Sequence, residues 1–409
     1  MSCERARDRQ QLKDSVLARF SPDEFPFGGI AQATAGPTVM PASAKSSSNG
    51  QALHRQAYYG KSRLIKSCSV DQGTVINFLS HPESYGLCKG EVKRIDTHCS
   101  VVFLAADRAY KLKRAIRYGD ADYTVLAKRR AACASELVVN RRTAPQLYLG
   151  VYTICRGPDG TPAFGGSGPL LDYVVVMRRF AQEDLFDHLA EAGQLTSNLM
   201  QTLGRIIAQF HKRAARRPQH GGGIALQRVI AEHVRALSRH VDLLGEVELA
   251  RLNRRLHAAL ARATPQLNRR RHAGKIRRCH GDLRLANICL WRGRPTLFDA
   301  VEFSEAVGSI DVLYDIAFLL MDLCVFGLRA SAKVLFDAYL KFFPEHDGIM
   351  VLPLFLALRA SMRTLALADS AQRQPGSTQA TKKRAQAQQH LRAAIDFLAP
   401  NYEGRRALR

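Results

Sequence analysis

One segment of the sequence combines the side chains that phosphoryl transfer requires. It runs His280-Gly281-Asp282-Leu283-Arg284-Leu285-Ala286-Asn287 and is followed by Leu297-Phe298-Asp299-Ala300-Val301-Glu302-Phe303. Phosphoryl transfer needs a group that orients the attacking hydroxyl, and it needs oxygen ligands for the metal ions that neutralise phosphate charge. Asp282 and Asn287 have the Asp-x-x-x-x-Asn spacing of a kinase catalytic loop. The spacing predicts Asp282 as the catalytic base, with Asn287 and Asp299 as Mg2+ ligands.

The residues after this loop predict how the three side chains meet. Residues 288–291 have the pattern of a short strand, 292–295 that of a turn, and 296–298 that of the returning strand. Such a hairpin places Asn287 at its entrance and Asp299 at its exit. His-Gly-Asp alone is also a common turn tripeptide, because Gly tolerates a left-handed backbone and Asp caps its own turn. The complete order of residues favours the phosphoryl-transfer interpretation.

A small sheet is predicted upstream of this segment. Strand patterns at 92–95, 100–105 and 108–113 are separated by tight connections and indicate an antiparallel meander. A helix is predicted at about 124–143, and two further strands at 147–154 and 170–177 enclose a Gly-rich loop. A sheet that covers ATP needs a lysine for the α and β phosphates, and this lysine is held by a glutamate on the next helix.

Lys111 is the predicted phosphate lysine, and Glu136 is its predicted partner. In Ala109-Tyr110-Lys111-Leu112, a small residue precedes the lysine by two and an aliphatic residue follows it, as in the third strand of kinases. Lys113 is two residues further on and faces the same side of the strand, so it remains an alternative. Glu136 lies in an apolar stretch, where an unpaired charge is costly. An ordinary exposed ion pair is the competing interpretation.

Two weaker predictions complete the nucleotide site. The connection Thr97-His98-Cys99-Ser100 has no glycine, but its backbone amides and the hydroxyls of Thr97 and Ser100 could cap phosphates. The strand that ends at Met177 has the position of the strand leading to an interlobe hinge, where backbone groups bind adenine. Core packing explains the apolar residues of that strand equally well.

Composition narrows the classes of partner. The chain has 409 residues, with 60 Lys plus Arg against 36 Asp plus Glu and a net charge of +24. Its basic runs are scattered and are not interleaved with aromatic residues, so nucleic-acid binding is not expected. Nine cysteines without a Cys-x-x-Cys pair indicate neither a zinc site nor a disulfide framework, which suits the cytoplasm. The longest apolar run, 316–328, is short and contains Asp322, so no membrane span is expected.

The chain divides into four predicted regions. Residues 1–70 form a disordered or weakly ordered extension, 71–180 an N-lobe that covers the nucleotide, and 181–370 a helical C-lobe with the catalytic segment 279–303. Residues 371–409 form a linker and a basic C-terminal helix. The helices predicted after residue 180 are about 196–213 with Thr196 as N-cap, 224–263, 312–328, 330–343, 351–368 and 382–398.

Six motifs spread along the chain carry a resemblance to a known family. They are Ile95-Asp96-Thr97-His98, Arg108-Ala109-Tyr110-Lys111-Leu112-Lys113, Glu136-Leu137-Val138-Val139-Asn140-Arg141-Arg142 with Ala144-Pro145, His280-Gly281-Asp282, Phe298-Asp299-Ala300-Val301-Glu302-Phe303, and Asp311-Val312-Leu313-Tyr314-Asp315-Ile316-Ala317-Phe318 with Met321-Asp322-Leu323. Together they resemble the aminoglycoside phosphotransferase and choline kinase group of the protein-kinase-like superfamily, and most closely its bacterial branch of unassigned substrate. The similarity covers about residues 72–370.

The resemblance implies an α+β fold of two lobes, with a small antiparallel-sheet N-lobe and a mainly helical C-lobe. It also implies ATP, Mg2+ and transfer of the γ-phosphoryl group to a hydroxyl. It assigns Asp282 as the base, Asn287 and Asp299 as metal ligands, and Lys111 with Glu136 as the phosphate-positioning pair. His280, Glu302 and Asp315 are expected to support the substrate or the structure.

Two departures from the family pattern bear on function. Arg284 replaces the second His of His-Gly-Asp-x-His, and it is predicted to contact phosphate or substrate. Family members often continue into a P-loop ATPase domain, whereas Gly-x-x-x-x-Gly-Lys-Ser/Thr occurs nowhere in the sequence. A separate P-loop ATPase protein is therefore a candidate partner.

Two functions remain open from the sequence. The first is a kinase that phosphorylates a hydroxyl of a small molecule. The alternative is a catalytically weak, nucleotide-binding regulatory protein with the same fold. For an aminoglycoside acceptor, which is polycationic, Glu302, Glu305 and Asp311 are the carboxylates that the segment offers, although metal binding and helix capping explain these acids equally well.

Overall fold

The computed structural model describes residues 72–373 and 376–399, so the extension predicted for residues 1–70 lies outside the described residues. The first lobe is built on a six-stranded antiparallel sheet in the order β1-β2-β3-β8-β6-β7. A separate two-stranded ribbon, β4 and β5, follows β3. The strands are β1 (Lys93–Asp96), β2 (Ser100–Ala105), β3 (Arg108–Lys113), β4 (Arg117–Tyr118), β5 (Ala121–Asp122), β6 (Tyr148–Arg156), β7 (Pro162–Phe164) and β8 (Leu170–Arg178).

Two helices cover the two faces of this sheet. Helix α1 (Gln72–Ser80) packs Val75 and Leu79 against the face that carries Tyr110 and Leu112. Helix α2 (Leu126–Asn140) lies against the opposite face. Because side chains alternate along a strand, Lys111 and Lys113 point toward the α2 side. The meander and the helix predicted at 124–143 are confirmed, with α2 shorter by two or three residues at each end.

The second lobe is mainly helical. Its elements are α3 (Phe186–Glu191), α4 (Ser197–Arg213), α5 (Gly222–Leu237), α6 (Val241–Leu244), α7 (Glu246–His272), β9 (Ile276–Arg278), β10 (Ile288–Trp291), β11 (Arg294–Leu297), α8 (Glu305–Gly308), β12 (Ser309–Asp311), α9 (Val312–Val325), α10 (Arg329–Phe342), α11 (Leu352–Gln372) and α12 (Thr378–Phe397). Helix α9 is the centre of the lobe, since its first twelve residues are all buried. A helix that is apolar on every side needs neighbours all round. The predicted α+β class, with a small antiparallel sheet and a mainly helical lobe, is confirmed.

Three sequence predictions about element boundaries were wrong. The single helical stretch predicted for 224–263 is divided, because Gly245 adopts a left-handed φ of +81° between α6 and α7. The linker predicted for 371–381 is shorter, since α11 reaches Gln372 and Ser377 caps α12 by accepting a hydrogen bond from the Ala380 amide at 3.0 Å. The Gly-rich loop between β6 and β8 contains β7, which pairs with the end of β6.

One helical segment among the described residues, His346–Gln372, is long and apolar enough to cross a membrane. In its most apolar window, 67% of the residues are buried inside the protein. The segment packs against α9 and α12, and Phe355 tilts against Tyr314 of α9 with ring centroids 5.2 Å apart. Core packing thus accounts for its apolar composition.

Candidate active site

Lys111 contacts one carboxylate in each lobe. Its Nζ lies 2.8 Å from Glu136 Oε1 on α2 and 2.5 Å from Asp299 Oδ1, which follows β11 in the second lobe. Burial lowers the pKa of Lys111, but Asp299 and Glu136 more than offset this effect and raise the pKa well above its ordinary value. The lysine is therefore a fixed positive charge at the boundary between the lobes.

Lys113 contacts a different set of groups. Its Nζ lies 2.5 Å from Glu136 Oε2 and forms a second ion pair with Glu302. The Tyr123 hydroxyl also donates to Glu302, at 2.9 Å. The Lys113 side chain is 2% exposed, against 14% for Lys111. Both lysines that the sequence left open thus contact Glu136, and Lys111 is the one that contacts Asp299.

The catalytic loop holds Asp282 beside the amide of Asn287. Asn287 Nδ2 donates to Asp282 Oδ2 at 2.7 Å and to the Asp282 carbonyl at 2.8 Å. Arg284 Nε donates to the same carboxylate oxygen at 3.3 Å. The Asp282 side chain keeps 34% of its surface exposed. Its carboxylate is positioned by two neighbours and is still open to a ligand.

The hairpin of β10 and β11 brings Asn287 and Asp299 together, as predicted. Ile288 pairs with Leu297, and the Phe298 amide donates to the Asn287 carbonyl at 3.0 Å. Asp299 itself has a left-handed φ of +59° and 42% side-chain exposure. Burial raises the pKa of Asp299, but the charge of Lys111 outweighs this effect and lowers the pKa to about 2.

A buried aspartate holds the backbone before Asp282. Asp315 accepts hydrogen bonds from the His280 amide at 3.0 Å and from the Gly281 amide at 2.8 Å, and its Oδ2 lies 3.0 Å from His211 Nε2. Burial raises the pKa of Asp315, but the His211 hydrogen bond outweighs it and lowers the pKa to about 2. His280 is fully buried, with Nε2 2.9 Å from the Phe298 carbonyl oxygen. Asp315 and His280 thus serve the structure of the loop.

The end of helix α2 and the residues after it also contact the catalytic segment, through side chains that the sequence reasoning did not single out as site residues. Asn140 Oδ1 accepts from the Ala300 amide at 2.7 Å, and the Tyr148 hydroxyl accepts from the Asp299 amide at 3.1 Å. Arg142 donates to the carbonyls of Arg278 at 2.7 Å and Cys279 at 3.0 Å. Asn140 lies four residues after Glu136, on the same helix face, which is a usable signal. Tyr148 and His211 carried no local signal.

The remaining predicted residues lie at the edge of this cluster. Thr97 is exposed, and its hydroxyl bonds within the loop, donating to the Ser100 carbonyl at 2.9 Å and accepting from the Ser100 amide at 3.0 Å. Ser100 is 1% exposed, so its hydroxyl is not presented to a ligand. Met177 pairs with Ala109, on the face of the sheet that carries Lys111. The phosphate and adenine contacts of these residues stay predictions.

The oxygen atoms near the loop suit a magnesium ion. Mg2+ prefers carboxylate and carbonyl oxygens and keeps several waters. Asp299 offers an ionised, partly exposed carboxylate, and Asn287 uses its Nδ2 on Asp282, which leaves its amide oxygen as an acceptor. Asn287 and Asp299 therefore meet the chemical requirements for holding Mg2+.

The sequence is similar to a known protein family and to curated proteins. A model of the phosphotransferase enzyme family matches residues 132–352, more than half of the chain. Uncharacterized proteins of Mycobacterium tuberculosis and Mycobacterium bovis are 29% identical over 273 residues, which is 66% of this chain and 53% of theirs. The chain thus spans about half the length of the curated relatives it matches.

Solved structures show remote likeness. A choline/ethanolamine kinase family protein from Mesorhizobium loti is 18% identical, with a TM-score of 0.46 over 78% of this chain and 93% of that one. Amicoumacin kinase, solved with AMP-PNP and Ca2+, is 13% identical, with a TM-score of 0.48 over 79% of this chain and 93% of that one.

Proposed function

The chain belongs to the phosphotransferase enzyme family, and from that premise we propose that it transfers the γ-phosphoryl group of ATP to a hydroxyl of a small molecule. One observation carries the proposal. Lys111 is ion-paired with both Glu136 and Asp299, and the Asn287–Asp282 pair lies at the other end of the same hairpin. A cation from the sheet therefore lies beside oxygen ligands from the catalytic segment. Binding the phosphates of a nucleotide requires this combination.

In this proposal Lys111 binds the α and β phosphates of ATP, and Glu136 fixes the direction of its side chain. Asn287 and Asp299 hold Mg2+, which when bound supplies positive charge to the phosphate oxygens. In the structure Lys111 contacts Asp299 directly, at 2.5 Å. When ATP binds, the Lys111 ammonium would give up part of its contact with Asp299 and contact phosphate oxygens instead. The backbone geometry of Asp299, fixed by Asn140 and Tyr148, keeps the carboxylate in place during this exchange.

Asp282 acts on the acceptor. Its carboxylate orients the attacking hydroxyl and receives its proton as the O–P bond forms and the bond to ADP breaks. Asn287 and Arg284 hold this carboxylate from one side, and its exposed part is open to the acceptor. Positioning of this kind is the main contribution a protein makes to phosphoryl transfer.

An ATP-consumption screen tests the function. The wild-type chain is incubated with ATP, Mg2+ and a panel of hydroxylated metabolites and aminoglycosides, with Asp282→Asn as the blank. The proposal predicts acceptor-dependent ADP formation by the wild type and a loss of about 100-fold or more in the variant, the scale of a general-base contribution. Thermal stabilisation by ATP and Mg2+ without any phosphorylated product would instead support a nucleotide-binding regulatory protein.

Location and partners are also proposals. Four cysteines within the described residues, Cys133, Cys155, Cys279 and Cys289, are buried free thiols, which supports a reducing cytoplasm. A separate P-loop ATPase protein is a proposed partner, because the curated relatives extend well beyond the matched region. Co-purification of the tagged chain from its own cells would test the partner.

A further inference from the structure

The acids that the sequence offered for a cationic acceptor are all paired with basic residues. Asp311 accepts two hydrogen bonds from the buried Arg270, at 2.7 and 2.8 Å. Glu305 lies 2.6 Å from Arg217 Nε, and Glu302 is paired with Lys113. Binding a polycation through these carboxylates would require breaking three existing ion pairs. The segment therefore offers little to an aminoglycoside.

Cationic side chains lie near Asp282 instead. Arg284, two residues after Asp282, is 3.3 Å from its carboxylate. Arg363, on α11, is half-buried and lies one helical turn after Arg359, whose guanidinium is 4.7 Å from the Phe318 ring of α9. Asp322, one turn after Phe318, accepts a hydrogen bond from the Leu285 amide of the catalytic loop at 3.1 Å. Arg363 forms no ion pair within the ranges 72–373 and 376–399 that the structure describes. Helix α11 thus carries, on the stretch that runs beside Asp322 and the catalytic loop, an arginine without an ion pair among the described residues.

The same helix connects the catalytic loop to the loop over the nucleotide site. At its C-terminal end, Arg373 Nη2 lies 2.9 Å from Nδ1 of His98, in the connection between β1 and β2. The His98 ring stacks on Tyr118, with centroids 5.5 Å apart, and the Arg373 guanidinium lies 5.9 Å from the Tyr118 ring. Ten residues of helix, about 15 Å, separate Arg363 from Arg373. Basic groups therefore lie at two points of this helix, Arg363 near the catalytic loop and Arg373 at the connection between β1 and β2.

Lys383 adds a further charge from α12. Its Nζ donates to Ser370 Oγ at 2.8 Å. Ser370 lies seven residues after Arg363, two helical turns along the same face of α11. Lys383 is therefore held on the face of α11 that carries Arg363.

Near these four basic side chains lie three carboxylates, those of Asp282, Asp322 and Asp369. Asp322 is buried, accepts a hydrogen bond from the Leu285 amide at 3.1 Å, and has a pKa raised by that burial. Asp369 is 2.7 Å from His240 Nε2. Burial and the charge of Arg284 lower the pKa of Arg363 to about 10, and partial burial with Arg373 and Lys383 lowers the pKa of His98 to about 4. Burial is the larger cause of both shifts, and the neighbouring cations add to it.

We propose that the acceptor is an anionic hydroxyl compound, and that Arg363 binds its phosphate or carboxylate group while Asp282 faces its hydroxyl. Arg373 and Lys383 extend the same positive surface toward the loop above the nucleotide. A guanidinium pairs with phosphate or carboxylate through two parallel hydrogen bonds, and the unpaired Arg363 has this capacity free among the described residues. The inference rests on the proposed phosphotransferase function and names the chemical class of its substrate.

Matched acceptors test the charge requirement. Glycerol, glycerol 3-phosphate and glycerate form one set, and glucose, glucose 6-phosphate and glucosamine form another, with an aminoglycoside as the polycation. Each is assayed for phosphorylated product with ATP and Mg2+. We expect kcat/KM to be at least about tenfold higher for an anionic member than for its neutral or cationic counterpart, the ratio that one charged hydrogen bond supplies. Comparing the phosphate-bearing acceptors, glycerol 3-phosphate and glucose 6-phosphate, with the carboxylate-bearing glycerate shows which anionic group is bound.

Variants of Arg363 test the residue. Arg363→Gln is expected to raise KM for the anionic acceptor about tenfold or more and to leave KM for ATP unchanged, whereas Arg363→Lys recovers part of the loss. Arg262→Gln, at an exposed arginine of α7, is the matched control and should change neither constant. Thermal melting of each variant checks folding.

The two proposals fail in different ways. Equal kcat/KM for neutral, cationic and anionic members, or an anionic-acceptor KM unchanged in Arg363→Gln, would overturn the anionic acceptor and leave the phosphotransferase function standing. Absence of product with every member of the panel would overturn the phosphotransferase function, and the inference with it.

Discussion

Lys111 and Lys113 are two residues apart on one strand and face the same side, but their contacts differ. Lys111 connects Glu136 to Asp299 across the cleft, whereas Lys113 connects Glu136 to Glu302 in a nearly closed environment. Strand alternation cannot distinguish two such lysines, because it fixes the face of the sheet and not the partner. The two lysines differ in the acid of the second lobe that each one contacts, Asp299 for Lys111 and Glu302 for Lys113.

Substituting each lysine with Met should give opposite results. Lys111→Met is expected to reduce kcat by about 100-fold or more with little loss of stability, because it removes a charge that acts on the phosphates. Lys113→Met is expected to lower the free energy of unfolding by about 3 kcal/mol, because it leaves Glu302 buried without its cation. Steady-state kinetics and urea unfolding of both variants measure the two effects. The same loss of kcat in both variants, at unchanged stability, would contradict these separate roles.

At the scale of elements, the catalytic loop depends on a glycine. Gly281 has a left-handed φ of +88°, and an added Cβ would lie 2.9 Å from Val301 Cγ2. Its amide also donates to Asp315. The tripeptide His280-Gly281-Asp282 therefore forms the tight turn weighed from the sequence, and its catalytic role stays a prediction. The turn is what presents Asp282.

Gly281→Ala is expected to destabilise the protein and to lower turnover. Gly293→Ala is the matched control, because Gly293 has a φ of +75° and no atom lies within 4 Å of an added Cβ. The control should lose about 1 kcal/mol of stability from backbone strain alone and keep its activity. Gly281→Ala should lose more stability and more activity than the control, since Val301 must also move. Identical melting temperatures and activities for the two variants would show that contact with Val301 is unimportant.

Local elements were largely predictable from the sequence, and their long-range partners were not. The N-cap Thr196 accepts from the Leu199 amide at 3.3 Å, as predicted, and the hairpin after Asn287 follows from strand and turn patterns. By contrast, His211 and Asp315 are 104 residues apart, and their contact depends on how the helices of the second lobe come together. Gly245 was missed as a break because the sequence on both sides of it is strongly helical.

At the scale of the whole molecule, buried histidines couple stability to pH. Burial lowers the pKa of His233 and of His390 to about 4, whereas an unfolded histidine titrates near 6.5. Below pH 6.5 the unfolded chain therefore binds more protons than the folded chain. The contribution of these two histidines to the free energy of unfolding is fully present above pH 6.5 and is lost as the pH falls toward 4.

Unfolding by urea at pH 7.5 and pH 5 measures this effect. The free energy of unfolding should fall by about 2 kcal/mol per buried histidine between the two conditions. His233→Leu should reduce the fall by about that amount, because the variant has no proton to bind there. His257→Gln, at an exposed position on α7, is the control and should leave the pH dependence as in the wild type. An equal fall in His233→Leu and the wild type would rule out His233 as a source.

The two lobes meet through contacts that serve the proposed chemistry, among them Lys111 to Asp299 and Arg142 to the carbonyls before His280. The most direct test of the central claim is 31P NMR of the chain with ATP, Mg2+ and an accepted hydroxyl compound. The account predicts that the γ-phosphate signal is replaced by ADP and a phosphate-ester resonance, and that Asp282→Asn binds ATP but forms ester about 100-fold more slowly or worse. Ester formation at the wild-type rate in Asp282→Asn, or release of inorganic phosphate alone by the wild type, would contradict it.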